Sequence, residues 1–166
     1  MMMMIALLAL PFAMQAQTKF HDVEANEAKG PVKTMSMDVM GMTRVVEFSE
    51  DGKMKSEEMS DAVYDENGYI QSAKMNMRGQ SVDIKFTWEN GQLKSQTINM
   101  MGQDIKTTHN YDANGVLTSD TIDMGGQVME APYTDYKFDD HGNWISRKSS
   151  MFGQEMENKR SFTYYE

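Results

Sequence analysis

The sequence predicts an all-β protein, an antiparallel up-and-down meander of about 11–12 strands built from six hairpin repeats. A glycine-ended turn returns six times along the chain. Between turns, as in residues 82–89, apolar and polar residues alternate with the period of two that is typical of half-buried strands. After Gly30, no segment places apolar residues at helical spacing for even three turns. A sheet this wide buries its apolar face only by bending, so we expect a strongly curved sheet or half-barrel.

The repeat is defined first by its glycines. The turn glycines are Gly30, Gly52, Gly68, Gly91, Gly115 and Gly142. In every unit but that of Gly52, a second glycine follows eleven residues later, at Gly41, Gly79, Gly102, Gly126 and Gly153. Self-similarity of this kind indicates a duplicated structural module with two turns in each copy.

Positions between the glycines also recur. Two residues after the turn glycine the side chain is apolar in all copies: Val32, Met54, Ile70, Leu93, Leu117 and Trp144. Four residues after it stands a hydroxyl: Thr34, Ser56, Ser72, Ser95, Ser119 and Ser146. Seven and nine residues after the glycine, most side chains are again apolar. These positions are odd-numbered, whereas the apolar second position is even-numbered. A continuous strand would send these positions to opposite faces. We therefore expect either a recurrent bulge around the fifth or sixth residue after the glycine, or a twisted sheet that buries different faces at its two ends.

The turns carry their own signature. In 65–68, 112–115 and 139–142, Asp stands at the first and Gly at the last place of four residues. Asp can hydrogen-bond the turn backbone and Gly accepts a positive φ, which together predict type I turns. The same chemistry accounts for the acidic character of these loops without Ca²⁺, since the alternating oxygen ligands of a calcium loop are missing.

The chain divides into three parts. Residues 1–16 are uncharged and largely apolar, which predicts a secretory signal peptide; a buried N-terminal helix is the alternative. Residues 17–29 are polar and mixed in charge, and we expect a disordered lead-in or one short helix there. Residues 30–166 form the β-hairpin repeat domain.

Composition excludes several classes of function. The absence of Cys excludes disulfides and thiolate chemistry, and we expect no cofactor. The net charge of −9 disfavours nucleic acid as a partner, because an acidic surface repels phosphates. No second apolar run follows residue 16, so we expect no transmembrane segment in the mature chain. These features favour the periplasm, or a secreted or cell-surface location, in a Gram-negative bacterium.

Three turn segments, Tyr64 to Ile70, Tyr111 to Leu117 and Phe138 to Arg147, resemble the tyrosine-aspartate (YD) repeats of Rhs-type bacterial proteins. This resemblance implies β-hairpins that wind in one direction. A second resemblance is to periplasmic carriers of the lipoprotein-sorting (LolA-like) type, in the methionine-rich runs 32–37 and 99–103. It implies a curved antiparallel sheet that holds an acyl chain.

Methionine is the unusual component, with 19 residues. Stacked repeats would align four of them, Met77, Met100, Met124 and Met151. Three interpretations remain open: a Cu(I) site, since thioethers suit that ion; a pliable apolar groove; and a core filled with Met in place of Leu or Ile. His141 occupies a turn place held by Asn in other repeats, and we expect His109 on the solvent face.

No set of acid, base and nucleophile assembles in the sequence, so no catalytic residue is assigned and an enzyme is not expected. The leading hypothesis is an exported, non-enzymatic β-repeat protein with a binding or structural role toward a glycan, a lipid or a protein surface. The alternative is a periplasmic carrier of an apolar, lipid-like ligand in a Met-lined curved sheet. The third is a Met-rich Cu(I)-binding protein.

Overall fold

The computed structural model describes residues 19–39 and 41–166, which form a single 12-stranded antiparallel sheet and one short helix. The elements are α1 (Asp22–Ala25), β1 (Val32–Val39), β2 (Met42–Phe48), β3 (Met54–Lys55), β4 (Met59–Tyr64), β5 (Ile70–Met77), β6 (Gln80–Glu89), β7 (Gln92–Met100), β8 (Gln103–Tyr111), β9 (Leu117–Met124), β10 (Val128–Phe138), β11 (Trp144–Met151) and β12 (Gln154–Tyr164). The predicted all-β meander and its number of strands are confirmed. The predicted signal peptide, residues 1–16, lies outside the described residues.

The sheet has the spatial order β3-β2-β1-β12-β11-β10-β9-β8-β7-β6-β5-β4. Its two edges, β3 and β4, are consecutive in the chain and are joined by residues 56–58 alone. In a flat sheet with strands about 4.8 Å apart the edges would lie about 50 Å apart. A three-residue link spans at most about 15 Å between the flanking Cα atoms. The sheet is therefore rolled so that β3 and β4 face each other, although no ladder joins these two described strands.

The predicted type I turns form as expected. In the turn at 65–68, the Gly68 amide donates to the Asp65 carbonyl over 3.1 Å. The Asp65 carboxylate accepts from the amides of Asn67 and Tyr69 at 3.0 and 2.9 Å. The turns at 112–115 and 139–142 repeat these contacts. At the opposite end of the sheet, two-residue turns such as Met101-Gly102, with φ of 54° and 78°, join the strands. Positive φ at both places is the type I′ geometry that fits the twist of a hairpin.

A bulge recurs, as predicted, but its position differs. The ladder register shifts between the second and fourth residues after the turn glycine in five repeats, so that Lys33, Gln71, Lys94, Thr118 and Ile145 are the extra residues. The bulge thus lies at the third residue after the glycine, and the expectation of the fifth or sixth is wrong. A bulged residue leaves the ladder locally open. Beyond it, the inward-facing and outward-facing positions of the strand are exchanged. The second and the fifth residues after the glycine therefore both point inward.

Hydrogen bonds between neighbouring strands fall beside four of these bulges. The carbonyl of the second residue after the glycine accepts from a side chain of the following strand: Trp88 Nε1 to Ile70 at 2.7 Å, Tyr111 OH to Leu93 at 2.9 Å, Tyr136 OH to Leu117 at 2.6 Å and Arg160 Nε to Trp144 at 2.6 Å. Carbonyl groups next to a bulge need such partners, because a buried acceptor without one is costly. Three aromatic residues and one arginine thus satisfy the backbone beside these bulges.

The core lies inside the roll in two clusters. One contains Val23, Ala28, Val32, Met35, Val46 and Phe48. The other contains Ile70, Ala73 and Ile84, with half-buried methionines and aromatic residues around it. Residues 19–29, called here the N-terminal segment, lie at the end of the roll that carries the type I turns. There the amides of Phe20 and His21 donate to the carbonyls of Asp51 and Gly68. The short helix expected as one possibility in this region is α1.

Replacing Gly68 with Ala tests the packing of the N-terminal segment on the turns. A Cβ at Gly68 would lie 1.8 Å from the backbone oxygen of Lys19, and φ is +86°. Gly79→Ala is the matched control, because φ is +82° there but no described atom lies within 4 Å of the added Cβ. We expect Gly79→Ala to lower the free energy of unfolding by about 1 kcal/mol and Gly68→Ala by about 2–4 kcal/mol. Equal losses in urea unfolding would show that the segment is not packed there.

Candidate functional site

The Asp22 carboxylate connects the two edges of the sheet. Its Oδ2 accepts from the Met54 amide of β3 at 2.8 Å and from the Tyr64 hydroxyl of β4 at 2.7 Å. Asp22 is 2 % exposed, and burial raises the pKa of its carboxyl above the usual value despite these two hydrogen bonds. Its second oxygen, Oδ1, is buried and has no hydrogen-bond partner among residues 19–39 and 41–166.

An inner cavity of about 270 Å³ lies beneath the N-terminal segment. Its apolar wall includes Met37, Met54, Met59, Met75, Ile84 and Phe86. Met59 and Met75 are direct partners across the β4–β5 ladder, so their side chains lie side by side. Asp22 and His109 supply polar groups to the same wall. The combination of a pliable thioether lining and a few fixed polar atoms is typical of a small-molecule site.

His109 belongs to a buried polar group. It lies opposite Asp120 in the β8–β9 ladder, and its Nδ1 is 2.6 Å from Asp120 Oδ1. The Tyr133 hydroxyl donates to Asp120 Oδ2 at 2.8 Å. With Asp120 accepting both bonds, we assign a proton to Nδ1 of His109. That Nε2 is buried without a partner in the described part of the chain, and the His109 residue is only 6 % exposed.

Two arginines continue this polar layer toward β12. Arg147 donates to Glu27 at 2.7 Å and lies 3.7 Å from the Tyr133 ring centroid. Arg160 donates to the carbonyls of Asn26 and Glu27 at 3.0 and 2.6 Å. Burial lowers the pKa of Arg160 to about 9, so that it still carries its charge at neutral pH. These contacts fix the end of the N-terminal segment over the interior.

A second cavity of about 230 Å³ forms the mouth beside the N-terminal segment. Aromatic residues line it: Tyr111, Tyr136, Phe138 and Trp144. Glu27, Leu93 and Tyr111 line both this mouth cavity and the inner cavity, so the two spaces adjoin. The aromatic mouth cavity at the turn end of the roll is thus a neighbour of the methionine-lined cavity.

The sequence-predicted methionines lie elsewhere. Met77, Met100, Met124 and Met151 end β5, β7, β9 and β11, at the opposite end of the roll from α1. One strand separates each from the next, so their backbones lie about 10 Å apart. Four other methionines meet in the inner cavity instead, and the Cu(I) hypothesis stays a prediction. Among the described residues, no group of three or more His, Asp or Glu side chains is arranged to hold a metal ion.

Of the expectations for the two histidines of the repeat domain, the structure confirms one and contradicts the other. His141 is an exposed turn residue, as expected, and stacks on Tyr164 with ring centroids 3.6 Å apart. The expectation that His109 faces solvent is wrong: β8 has no extra residue of its own, and His109 shares the inward-facing parity of Ile105 and Tyr111. The hydroxyl column forms cross-strand contacts, such as Thr34 to Thr163 at 2.6 Å, which fits its structural interpretation.

Sequence reasoning missed Asp22, Asp120 and Arg147. Asp120 and Arg147 are both the fifth residue after a turn glycine, where Met35 and Ala73 are buried in other repeats. A bulge placed at the third residue would have predicted them to be inside. Asp22 had no such signal, since the residues that it binds are 32 and 42 positions away.

Truncating Glu27 tests the ion pair that fixes the N-terminal segment. Glu27→Ala leaves the buried Arg147 guanidinium uncompensated, and we expect the free energy of unfolding to fall by about 3 kcal/mol. Glu58→Ala is the matched control: it removes the partner of Arg44 in a pair whose side chains are 57 % and 62 % exposed, and we expect a loss below about 1 kcal/mol. Similar losses from both variants in urea unfolding would contradict the assigned role of Glu27.

The raised pKa of Asp22 predicts a pH dependence of stability. Folding favours the protonated carboxyl, so this contribution is fully present below the unfolded pKa of 3.8 and is lost as pH rises through the folded pKa. The free energy of unfolding should therefore decline as pH rises through the folded pKa of Asp22. We expect Asp22→Asn to abolish this decline. Asp83→Asn, at an exposed position of β6, should leave the decline unchanged. Parallel pH profiles for Asp22→Asn and the unmodified protein would contradict the prediction.

None of the described helices is long and apolar enough to cross a membrane. The resemblance to tyrosine-aspartate repeats remains a prediction, and so does the resemblance to LolA-like carriers. In comparisons with protein-family models and with curated protein sequences, nothing matches this chain.

Proposed function

We propose that this chain is a non-enzymatic binding protein that holds a small apolar ligand inside its rolled sheet. The observation that supports the proposal is the inner cavity of about 270 Å³, walled by methionines and adjoining an aromatic mouth. Its volume lies near the lower end of the range usual for small-molecule sites, about 300–1,000 Å³. The uncharged residues 1–16 support an exported setting for this role.

Methionine is suited to such a wall. Its unbranched, polarisable side chain adapts to ligands of irregular shape at little cost. Met37, Met54, Met59 and Met75 come from four different strands, so the wall surrounds the space from several directions. The N-terminal segment covers the interior and leaves the mouth beside β7, β8 and β9. A ligand would enter there and displace few fixed contacts.

The His109–Asp120 pair favours an acid–base enzyme as the second candidate. A histidine oriented by a carboxylate is the arrangement of a general base. However, none of the described residues lining the inner cavity is a Ser, Cys or Lys that such a base would activate. The apolar character of the remaining wall fits retention of a ligand better than its conversion.

Filling the cavity tests the proposal. Ala25 lines the inner cavity, and Ala25→Phe should occupy it. We expect the unmodified protein to bind 1-octanol in isothermal titration calorimetry and Ala25→Phe to lose that binding while keeping its circular dichroism spectrum. Ala113→Phe, in an exposed turn, is the control and should bind as the unmodified protein does. Unchanged binding by Ala25→Phe, or no binding by the unmodified protein, would contradict the proposal.

A further inference from the structure

We propose that the end of the roll opposite the N-terminal segment seats the protein on a membrane surface of zwitterionic lipids. Five tight hairpin turns, called here the tips, join the strands at that end. Each tip contains a glycine with positive φ: Gly41, Gly79, Gly102, Gly126 and Gly153. This surface is independent of the ligand proposed for the inner cavity.

Large apolar side chains are exposed mainly at the tips. Of the eight that are exposed in the described part of the chain, five lie within two residues of a tip glycine: Met42, Met77, Met101, Val128 and Phe152. Met101 is 93 % exposed and Phe152 is 80 % exposed. None of the five lines the inner cavity or the mouth. Exposed apolar side chains that gather at one end of a protein are typical of a surface that contacts a membrane or another protein.

The backbone makes Met101 and Phe152 unusual in a second way. Their φ angles are 54° and 52°, in the left-handed region that disfavours bulky side chains. The first place of a two-residue hairpin turn usually holds Asn, Asp or Gly. The chain uses Asn90 for this place in the Asn90-Gly91 turn at the opposite end of the roll, with φ of 52°. Turn geometry therefore does not explain the Met and the Phe, whereas contact with an apolar phase does.

The tips form a level rim, which fits a flat surface. Each tip glycine follows the turn glycine of its repeat by eleven residues. The same five repeats carry the bulge at the third residue. The five hairpins therefore reach equally far from the turn end of the roll. Neighbouring tips are two strands apart, or about 10 Å. A bilayer meets such a rim at all five points, whereas a convex protein surface does not.

The charges beside the tips determine which lipids fit. Within three residues of the tip glycines stand four carboxylates and two arginines: Asp38, Asp104, Asp123, Glu155, Arg44 and Arg78. The rim is thus acidic, as is the whole chain with its net charge of −9. An anionic membrane would repel it, and so would the same rim of a second copy. Phosphatidylcholine headgroups present an ammonium group outermost, which complements the carboxylates once the apolar side chains enter the interface.

Vesicle binding by the full chain tests the inference. We would measure the partition of the unmodified protein and of Met101→Asn/Phe152→Asn onto phosphatidylcholine vesicles by cosedimentation. Asn suits the left-handed place, so the double variant should keep its circular dichroism spectrum and its stability in urea. We expect each substitution to lower the partition coefficient about 10-fold, because each removes one apolar side chain from the interface. Phosphatidylglycerol mixed into the vesicles should weaken binding by the unmodified protein.

Three controls isolate the contribution of the tips. Val63→Thr changes an exposed apolar side chain near the turn end of the roll and should bind vesicles as the unmodified protein does. Ala25→Phe, which fills the inner cavity, should also leave vesicle binding unchanged, so the rim and the cavity are tested separately. Residues 17–166 contain every described element but not the apolar residues 1–16, and the two tip substitutions should weaken their binding equally.

Three results would overturn the inference: no binding by the unmodified protein, equal binding by the double variant, or tighter binding to vesicles that contain phosphatidylglycerol. Light scattering without lipid checks the other occupant. Self-association that the double variant abolishes would show that the rim is an interface between copies, which would also overturn the inference. A loss of about 100-fold in the double variant, with unchanged controls, supports it.

Discussion

The structure depends on how an open sheet of 12 strands brings its two edges together. Unpaired edge strands invite association with other chains, so a folded sheet must cover or shorten them. Here one edge, β3, has two residues, and the three-residue link to β4 brings the edges face to face. Asp22 then bonds a backbone amide on one edge and a tyrosine hydroxyl on the other. A single carboxylate thereby joins edges that the described backbone leaves unpaired, and it does so from within the N-terminal segment that covers the interior.

The bulge at the third residue after the turn glycine, found in five repeats, explains much of the repeat. It lets the second and fifth residues both face inward, which a continuous strand forbids. In four repeats it also opens the ladder beside a carbonyl to which Trp88, Tyr111, Tyr136 or Arg160 donates from the following strand. Each of these four strands thus satisfies a backbone group of the strand before it.

The sequence was informative wherever structure follows from local chemistry. Asp and Gly at fixed places predicted the type I turns, and parity predicted that a bulge recurs, because both signals lie within a few residues. The position of the bulge was misjudged, and His109 was expected on the wrong face although it shares the parity of Tyr111 in β8. Contacts between distant residues had no local signal: Asp22 binds residues 32 and 42 positions away, and Glu27 pairs with Arg147 over 120 positions. The fold was accessible from the sequence, whereas the cavity and its polar atoms were not.

The departures from the repeat place charged residues inside the roll. At the fifth position after the glycine, Met35 and Ala73 show that an apolar residue fits. Asp120 and Arg147 take that position in two other repeats and carry a buried network with them. A buried acceptor without a partner costs about 1–3 kcal/mol, and replacing such networks with apolar residues is often neutral or stabilising. What the network adds is a fixed geometry. Arg147 donates to Glu27 of the N-terminal segment, 120 positions earlier in the chain, and so holds that segment over the interior of the roll.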